Sequence, residues 1–401
     1  MIYIINGKIM TMEDEIWDRG YICIENGKIK EMGPMKDDAP FPLQSSEDVQ
    51  IISAEGCIVM PGLIEAHCHM GITEEKKGME GDDCNETVDP VTPHLRAIDA
   101  INPMDAAFDD ALRAGITAAM IGPGSSNVVG GCFAFIKTHG RSIDKLIVKS
   151  PAAMKIAFGE NPKVNYSGQG KSPSTRMAIA AMLREELFKA VAYREQKKQG
   201  MKLWEQDFRY ECWLPVLNGE IPLKAHVHRA DDILTAIRIA REFGLSMTLD
   251  HCSEGHLIAE EVKNSGFPAI VGPDLASRNK IEVQNMAFKT VGILNKAGVK
   301  TAITTDHPVS LIQSLPICAG LAVKSGMEEM EAMRSITLYP AQICGVDERM
   351  GSLKVGKDAD IAIFNGNPLE VATKTMCTII NGEIAYADEQ FIALPEGKKQ
   401  L

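Results

Sequence analysis

Hydrophobic and polar positions alternate at both ends of the chain and follow a longer rhythm between them. Ile4-Ile-Asn-Gly-Lys-Ile9, Ile24-Glu-Asn-Gly-Lys-Ile29 and Ile379-Ile-Asn-Gly-Glu-Ile384 are apolar or alternating runs broken by Asn-Gly, the strongest short hairpin signal. Asp360-Ile-Ala-Ile-Phe364 and Cys377-Thr-Ile-Ile380 also read as strands. Residues 1–60 and 346–401 are therefore expected to form one small β-sandwich domain built from both termini. A second domain, residues 61–345, is inserted between them. The polar, Pro-containing run 36–49 reads as a loop.

Within 61–345 a helical pattern ends at a glycine, an apolar run follows, and a polar patch closes the unit. The pattern occurs as Asp105–Arg113, Gly115 and Ile116–Ile121, and as Asp232–Glu242, Gly244 and Leu245–Leu249. It returns as Glu260–Asn264, Gly266 and Phe267–Val271, and as Val291–Lys296, Gly298 and Val299–Thr305. Glycine just past a helix end is the usual residue there. Strands alternating with helices argue for a parallel sheet, and this number of units for an α/β fold of the (β/α)8 TIM-barrel kind. Residues 174–200 read as one long helix. The runs 132–137 and 152–158 are separated by too little sequence for a crossover helix, so the third and fourth strands are placed only loosely.

Length and composition agree with this division. The 401 residues suffice for a barrel of roughly 250 residues plus a smaller domain. Apolar residues are 45% and charged residues 24% of the chain, as in ordinary globular enzymes. The net charge of −12 argues against a nucleic-acid partner, which would require a basic face. No apolar run approaches the roughly 20 residues that span a bilayer, and the opening MIYIINGKIMTM lacks the features of a signal peptide. Ten cysteines occur without a CxxC pair, which suggests reduced thiols and a cytoplasmic protein.

The candidate chemistry lies at the ends of the predicted strands. Pro61-Gly-Leu-Ile-Glu-Ala-His67-Cys-His69 is an apolar run leading into His-x-His, and period-2 alternation puts both imidazoles on one side of a strand. Leu223-Lys-Ala-His226-Val-His228 repeats the arrangement; Met247-Thr-Leu-Asp-His251 and Ala302-Ile-Thr-Thr-Asp306-His307 end two later strands. Six of nine histidines thus fall at the C-terminal ends of strands, where barrels of this kind carry their active sites. Grouped imidazoles and a carboxylate suit a divalent metal better than they suit six separate structural roles.

These motifs resemble the amidohydrolase superfamily. Pro61 to His69 looks like its opening metal motif, and His226, His251 and Asp306 match its later ligand positions. Gly351-Ser-Leu-Lys-Val-Gly-Lys-Asp-Ala-Asp360 is similar to the segment by which such chains return to their β domain, and the imidazolonepropionase-like branch is the nearest in pattern. The resemblance implies a metal-dependent hydrolase of carbon–nitrogen bonds in small molecules. His67 and His69 would hold the more buried metal, and His226 and His251 a second ion or the same one. Asp306 would be a ligand or the proton carrier. Binuclear members bridge their ions through a carboxylated lysine or a glutamate from strand three or four. Lys155 and Glu160 are the candidates, with Glu160 favoured as a ligand if the strand ends near Phe158.

One or two divalent ions are expected, zinc first, with Mn, Fe or Ni also compatible. Such an ion lowers the pKa of bound water to about 7 and polarises the scissile carbonyl. Asp306 would then act as general acid and base. His228 is a candidate to stabilise the carbonyl oxygen or to orient a ligand, and His307 a weaker one. Arg278 and Lys280, after the predicted seventh strand, are candidates to bind a substrate carboxylate. The acidic stretch 73–103 reads as an active-site loop or a linker, and Gly122–Asn127 as a loop over the site, because no Lys-Ser/Thr follows to make a phosphate-binding loop. The preferred activity is hydrolysis of an amide or cyclic amide. Alternatives are a dipeptidase or carboxypeptidase, a heterocycle deaminase, and an inactive barrel scaffold. A homo-oligomer is expected only from the resemblance.

Overall fold

A computed structural model describes residues 1–35, 49–75, 78–202 and 205–392. The expected loop 36–49 lies outside these residues except for residue 49, as do Lys76 and Lys77 of the 73–103 stretch. Five strands come first: β1 (Ile2–Met10), β2 (Ile16–Glu25), β3 (Lys28–Pro34), β4 (Gln50–Ser53) and β5 (Ile58–Pro61). Eight more follow: β6 (Leu63–Cys68), β7 (Ile116–Ile121), β8 (Val129–Lys137), β9 (Ile147–Ala157), β10 (Leu223–Val227), β11 (Met247–His251), β12 (Ala269–Val271) and β13 (Thr301–Ile303). The last three are β14 (Ile361–Phe364), β15 (Thr375–Ile380) and β16 (Glu383–Ala387).

Strands from the two termini form one sheet in the order β16-β15-β14-β5-β1-β2-β3, with β4 also paired to β1. The sheet carries its own apolar core, which includes Ile4, Ile9, Ile22, Val59, Ile361 and Ile379. Two of the three Asn-Gly pairs make the expected hairpins. Asn26-Gly27 joins β2 to β3 and Asn381-Gly382 joins β15 to β16, all four residues with φ between 50° and 76°, as a two-residue I′ turn requires. The third pair does not turn. Asn6 has φ 68° but sits in a register shift inside β1, where Gly7 faces Gly20. A Cβ on Gly7 would lie 2.6 Å from a Val59 methyl, so this glycine admits a neighbouring strand rather than a reversal.

The middle strands form the barrel sheet in the order β13-β12-β11-β10-β9-β8-β7-β6. Seven are parallel to one another, but β8 runs antiparallel to both β7 and β9. That reversal accounts for the short spacing between 137 and 147. An antiparallel neighbour needs only a turn, whereas a parallel one needs a crossover of a dozen residues or more. Backbone bonds close the ring beside β13 and β6: Ile303 N donates to Ser335 O (2.9 Å), Ile64 N to Ile336 O (2.9 Å) and His69 N to His307 O (2.8 Å).

The helices expected from the repeated pattern are present at Ala106–Arg113, Arg176–Lys198, Ala230–Phe243, Ala259–Ser265 and Lys289–Ala297. Asp105 caps the first of these by accepting from Ala107 N. The barrel meets the terminal sheet through a buried charge cluster in which Lys137, at the end of β8, contacts Asp358 (3.2 Å) and Asp360. No helix among the described residues is long and apolar enough to cross a membrane.

Candidate metal centre

Strand alternation brings the first pair of imidazoles inward. Glu65, His67 and His69 occupy every second position from within β6 to just past its end, all with 8% exposure or less. Lys224, His226 and His228 repeat this along and just beyond β10. His251 breaks the rule. Asp250 and His251 are adjacent, yet both reach the centre, because His251 and Cys252 adopt φ of 70° and 48° at the strand end. Asp306, with φ 51°, is re-aimed in the same way after β13. Positive φ at non-glycine residues is costly and persists where the surrounding structure imposes it.

Two groups of side chains can each hold an ion: His226, His228 and His251, and His67, His251 and Asp306, all buried. Their outer ring nitrogens are anchored. His67 Nδ1 lies 2.8 Å from Asp250 Oδ2, His69 Nδ1 lies 2.7 Å from Gly122 O, and His251 Nδ1 lies 2.8 Å from Gly272 O. Donation to those oxygens leaves the Nε2 of His67 and His251 with a free lone pair and turns that of His69 towards Asp306, the arrangement by which proteins orient metal-binding imidazoles. His226 is the reverse case: its Nδ1 is buried without a partner, while its Nε2 faces Asn161 Nδ2 at 3.4 Å. Asp306 Oδ1 is 3.1 Å from His69 Nε2 and 3.6 Å from His67 Nε2.

Burial, with Lys155 beside two of them, holds His67, His226 and His251 well below the usual imidazole range, which favours the neutral, ligating form. For His69 burial acts in the same direction, but nearby Cys84 and Asp306 outweigh it and push the group up to about 10. A cation taking the place of that proton beside Asp306 would keep the carboxylate compensated. A buried orphan nitrogen, converging lone pairs and a carboxylate therefore fit a divalent metal.

Residues one layer below hold these groups in place. Glu65 accepts from His67 N (3.1 Å), Thr305 N (2.9 Å) and Thr305 Oγ1 (2.7 Å), tying β6 to the turn that carries Asp306. Lys224 Nζ bridges Asp250 Oδ2 (3.2 Å) and Ala66 O (3.1 Å). The stretch 73–103 is fastened beside the site: Asn127 Nδ2 donates to the carbonyls of Glu86 (2.7 Å) and Asp89 (2.8 Å). Gly122 from the same glycine-rich loop supplies the acceptor for His69.

The two candidates for a bridging group part company here. Lys155, fully buried on β9, places Nζ 3.2 Å from His67 Nε2, and burial is the chief cause of its pKa falling to about 8. Glu160 stands apart. It opens the helix Glu160–Ser167, gives its backbone N–H to Glu282 and belongs to neither ion-holding group. Arg278 is turned away, donating twice to Met286 O (3.0 and 2.8 Å). Lys280 is at the rim, with Nζ 2.5 Å from Asn161 Oδ1. His228 is buried with Nδ1 2.8 Å from Ser253 Oγ. His307 packs beneath, its Nδ1 accepting from Ile312 N (3.2 Å).

Asp250, Glu65, Lys224 and Glu282 escaped the sequence reading. The first three had a signal: a charged residue inside an apolar strand, at or next to a position two residues before a ligand.

Comparison with known proteins agrees with this geometry. The crystal structure of an amidohydrolase from Thermotoga maritima MSB8 superimposes with a TM-score of 0.92 at 36% identity, covering 97% of this chain and all of that one. The chain belongs to the amidohydrolase family, whose enzymes hydrolyse carbon–nitrogen bonds. The family's sequence model matches residues 218–390. The amidohydrolase tasK of Hapsidospora irregularis is 27% identical over 96% of this chain, which spans 42% of that protein's length. The imidazolonepropionase of Colwellia psychrerythraea is 25% identical, with 90% of each chain covered. The scaffold alternative loses its ground against relatives that are hydrolases of carbon–nitrogen bonds.

Proposed function

We propose that this amidohydrolase opens an amide or cyclic amide bond of a small molecule at a two-ion centre, with Lys155 as the bridge between the ions. The observation that carries the reading is the anchoring of the outer nitrogens of His67, His69 and His251, which leaves their Nε2 atoms gathered beside Asp306. His67, His69 and Asp306 would hold one ion, and His226 and His251 the other. Zinc suits this donor set first, with Mn, Fe or Ni compatible. The bound metal supplies a water nucleophile at neutral pH and an electrophile for the carbonyl oxygen.

The chain's own groups do the rest. Asp306 would take the proton of the attacking water and deliver it to the leaving nitrogen. Burial holds His228 neutral, its pKa down to about 3. With its Nδ1 accepting from the Ser253 hydroxyl, its Nε2–H would donate to the carbonyl oxygen as charge develops. Lys155 replaces Glu160 as bridge in this reading because only its side-chain end reaches the ligands. Its uncharged amine would add carbon dioxide, losing one proton, to give a carbamate with two oxygen donors. Lys280, rather than Arg278, is the cation left facing the mouth. The substrate is a small molecule and the compartment the cytoplasm.

Elemental analysis of protein grown with bicarbonate, for wild type and Lys155→Met, tests the centre. About two ions falling to one or none is expected, with hydantoins and N-acyl amino acids as the first hydrolysis panel. Two ions retained in Lys155→Met would exclude the bridge. Asp306→Asn is expected to lose at least about a hundred-fold in kcat, in line with general acid–base contributions.

A further inference from the structure

Glu282 is a buried carboxylate in the mouth of the barrel that the hydrolytic chemistry does not use. It lies in a single helical turn, Ile281–Val283, after β12. Its neighbour Ile281 is 66% exposed, whereas Glu282 is 1% exposed, so the turn throws the carboxylate inward. One oxygen is fixed: Oε2 accepts from Glu160 N at 2.8 Å. Gly159 makes room for it, since a Cβ there would stand 2.7 Å from the same oxygen.

The other oxygen, Oε1, has no hydrogen-bond partner. Three nitrogens surround it at nearly equal range: Lys280 Nζ at 3.8 Å, His226 Nε2 at 3.9 Å and His228 Nε2 at 4.0 Å. None is close enough to bond. The Lys280 ammonium is already engaged by Asn161 Oδ1. A carboxylate oxygen only accepts, and leaving it unsatisfied in a buried place is unfavourable. An anionic or acceptor group of a ligand would worsen that position, whereas an N–H would satisfy it.

Resting on the reading of the site as an amidohydrolase centre, we propose that Glu282 Oε1 is the substrate-recognition point for an N–H donor carried on the acyl side of the scissile bond. Lys280, on the same rim, takes an acceptor oxygen next to that donor. The favoured substrates are thus amides that display N–H beside C=O or carboxylate, either as a ring N–H or as a protonated amine. Amides with a fully alkylated acyl side are excluded.

Calorimetric titration of metal-loaded protein tests this, with binding heats read before any probe is hydrolysed. The probes are hydantoin (ring N–H), glycinamide (protonated amine) and 1,3-dimethylhydantoin (no donor). Wild type is expected to bind at least one donor probe ten-fold or more tightly than the dimethyl compound. Glu282→Gln keeps an acceptor for Glu160 N and should lose roughly ten- to a hundred-fold for that probe alone, the range for a charge-assisted bond. The donor probe that responds distinguishes ring N–H from amine. Equal binding of donor and donor-free probes by wild type, equal losses for all probes in the variant, or no binding of any would overturn the proposal, and wild type alone suffices if the variant does not fold. A fall in metal content of Glu282→Gln would also overturn it, by making Glu282 a support of His226. Donor-selective binding without hydrolysis of either probe's relatives would instead leave Glu282 in place and count against the hydrolytic reading.

Discussion

Asp250 joins the candidate metal site to the barrel interior, and replacing it with asparagine should separate two effects that a single activity assay would merge. The carboxylate is fully buried. Its Oδ2 meets His67 Nδ1 (2.8 Å) and Lys224 Nζ (3.2 Å), and its Oδ1 accepts from Thr248 Oγ1 (2.7 Å). Asp250→Asn keeps the shape but leaves the buried Lys224 ammonium without its counter-charge, with the Ala66 carbonyl and the face of the Phe133 ring beside it. Removing one partner of a buried pair costs about 3–5 kcal/mol. In a chain of this length each kcal/mol moves the midpoint by about 1.2 °C, so Tm of the metal-free protein should fall on the order of 4–6 °C. Lys224→Met removes the stranded charge, and the double variant should recover most of that loss. Metal affinity behaves differently. Loss of the charge behind His67 weakens binding by about 10- to 100-fold, and Lys224→Met cannot restore it. Thermal unfolding of chelated protein and a metal-competition titration, run on all four members of the cycle, read the two quantities separately. Strictly additive changes in Tm would refute the pairing, and unaltered metal affinity in Asp250→Asn would refute the orienting role.

Two further outcomes follow from buried charges elsewhere. Burial holds His307 down to about 4, so between pH 6.5 and 4 the unfolded chain binds a proton that the folded chain refuses. Stability is therefore complete above pH 6.5 and falls towards pH 4, by up to about 3 kcal/mol from this group. His307→Asn, whose Oδ1 can accept from Ile312 N, should flatten that slope in denaturant titrations of metal-free protein, and an unchanged slope would count against it. Lys137→Met would leave Asp358 and Asp360 buried without the Lys137 charge; a loss of about 3–5 kcal/mol is expected, with metal affinity unaltered because the cluster lies at the terminal sheet. Weakened metal binding in that variant would contradict this separation.

What the sequence discloses depends on whether a local rule meets its usual surroundings. Asn-Gly turns the chain at Asn26 and Asn381 because nothing opposes a hairpin there. The same dipeptide at Asn6 remains inside a strand because Val59 packs over Gly7. The missing crossover between β8 and β9 was visible as a spacing too short for a helix, but only strand reversal explains it. His67, His69, His226 and His228 were legible because alternation carries them inward. His251 and Asp306 were legible only through their place at strand ends, since positive φ overrides alternation there.

The choice between Lys155 and Glu160 turned on where the strand ends, and that criterion omits the reach of the side chain. The strand does end near Phe158, at Ala157, yet a four-carbon stem carries the Lys155 nitrogen to His67 while Glu160 begins a helix. The more general signal lay in residues that look misplaced. Glu65 and Lys224 interrupt apolar strands at the position before a ligand on the same face. A buried charge persists only when partnered, so each must meet a group of the site or a second buried charge. Such residues mark the support of a metal centre from sequence alone. Glu282 could not be found in this way, because it lies in an irregular turn where no periodicity says which side chain faces inward.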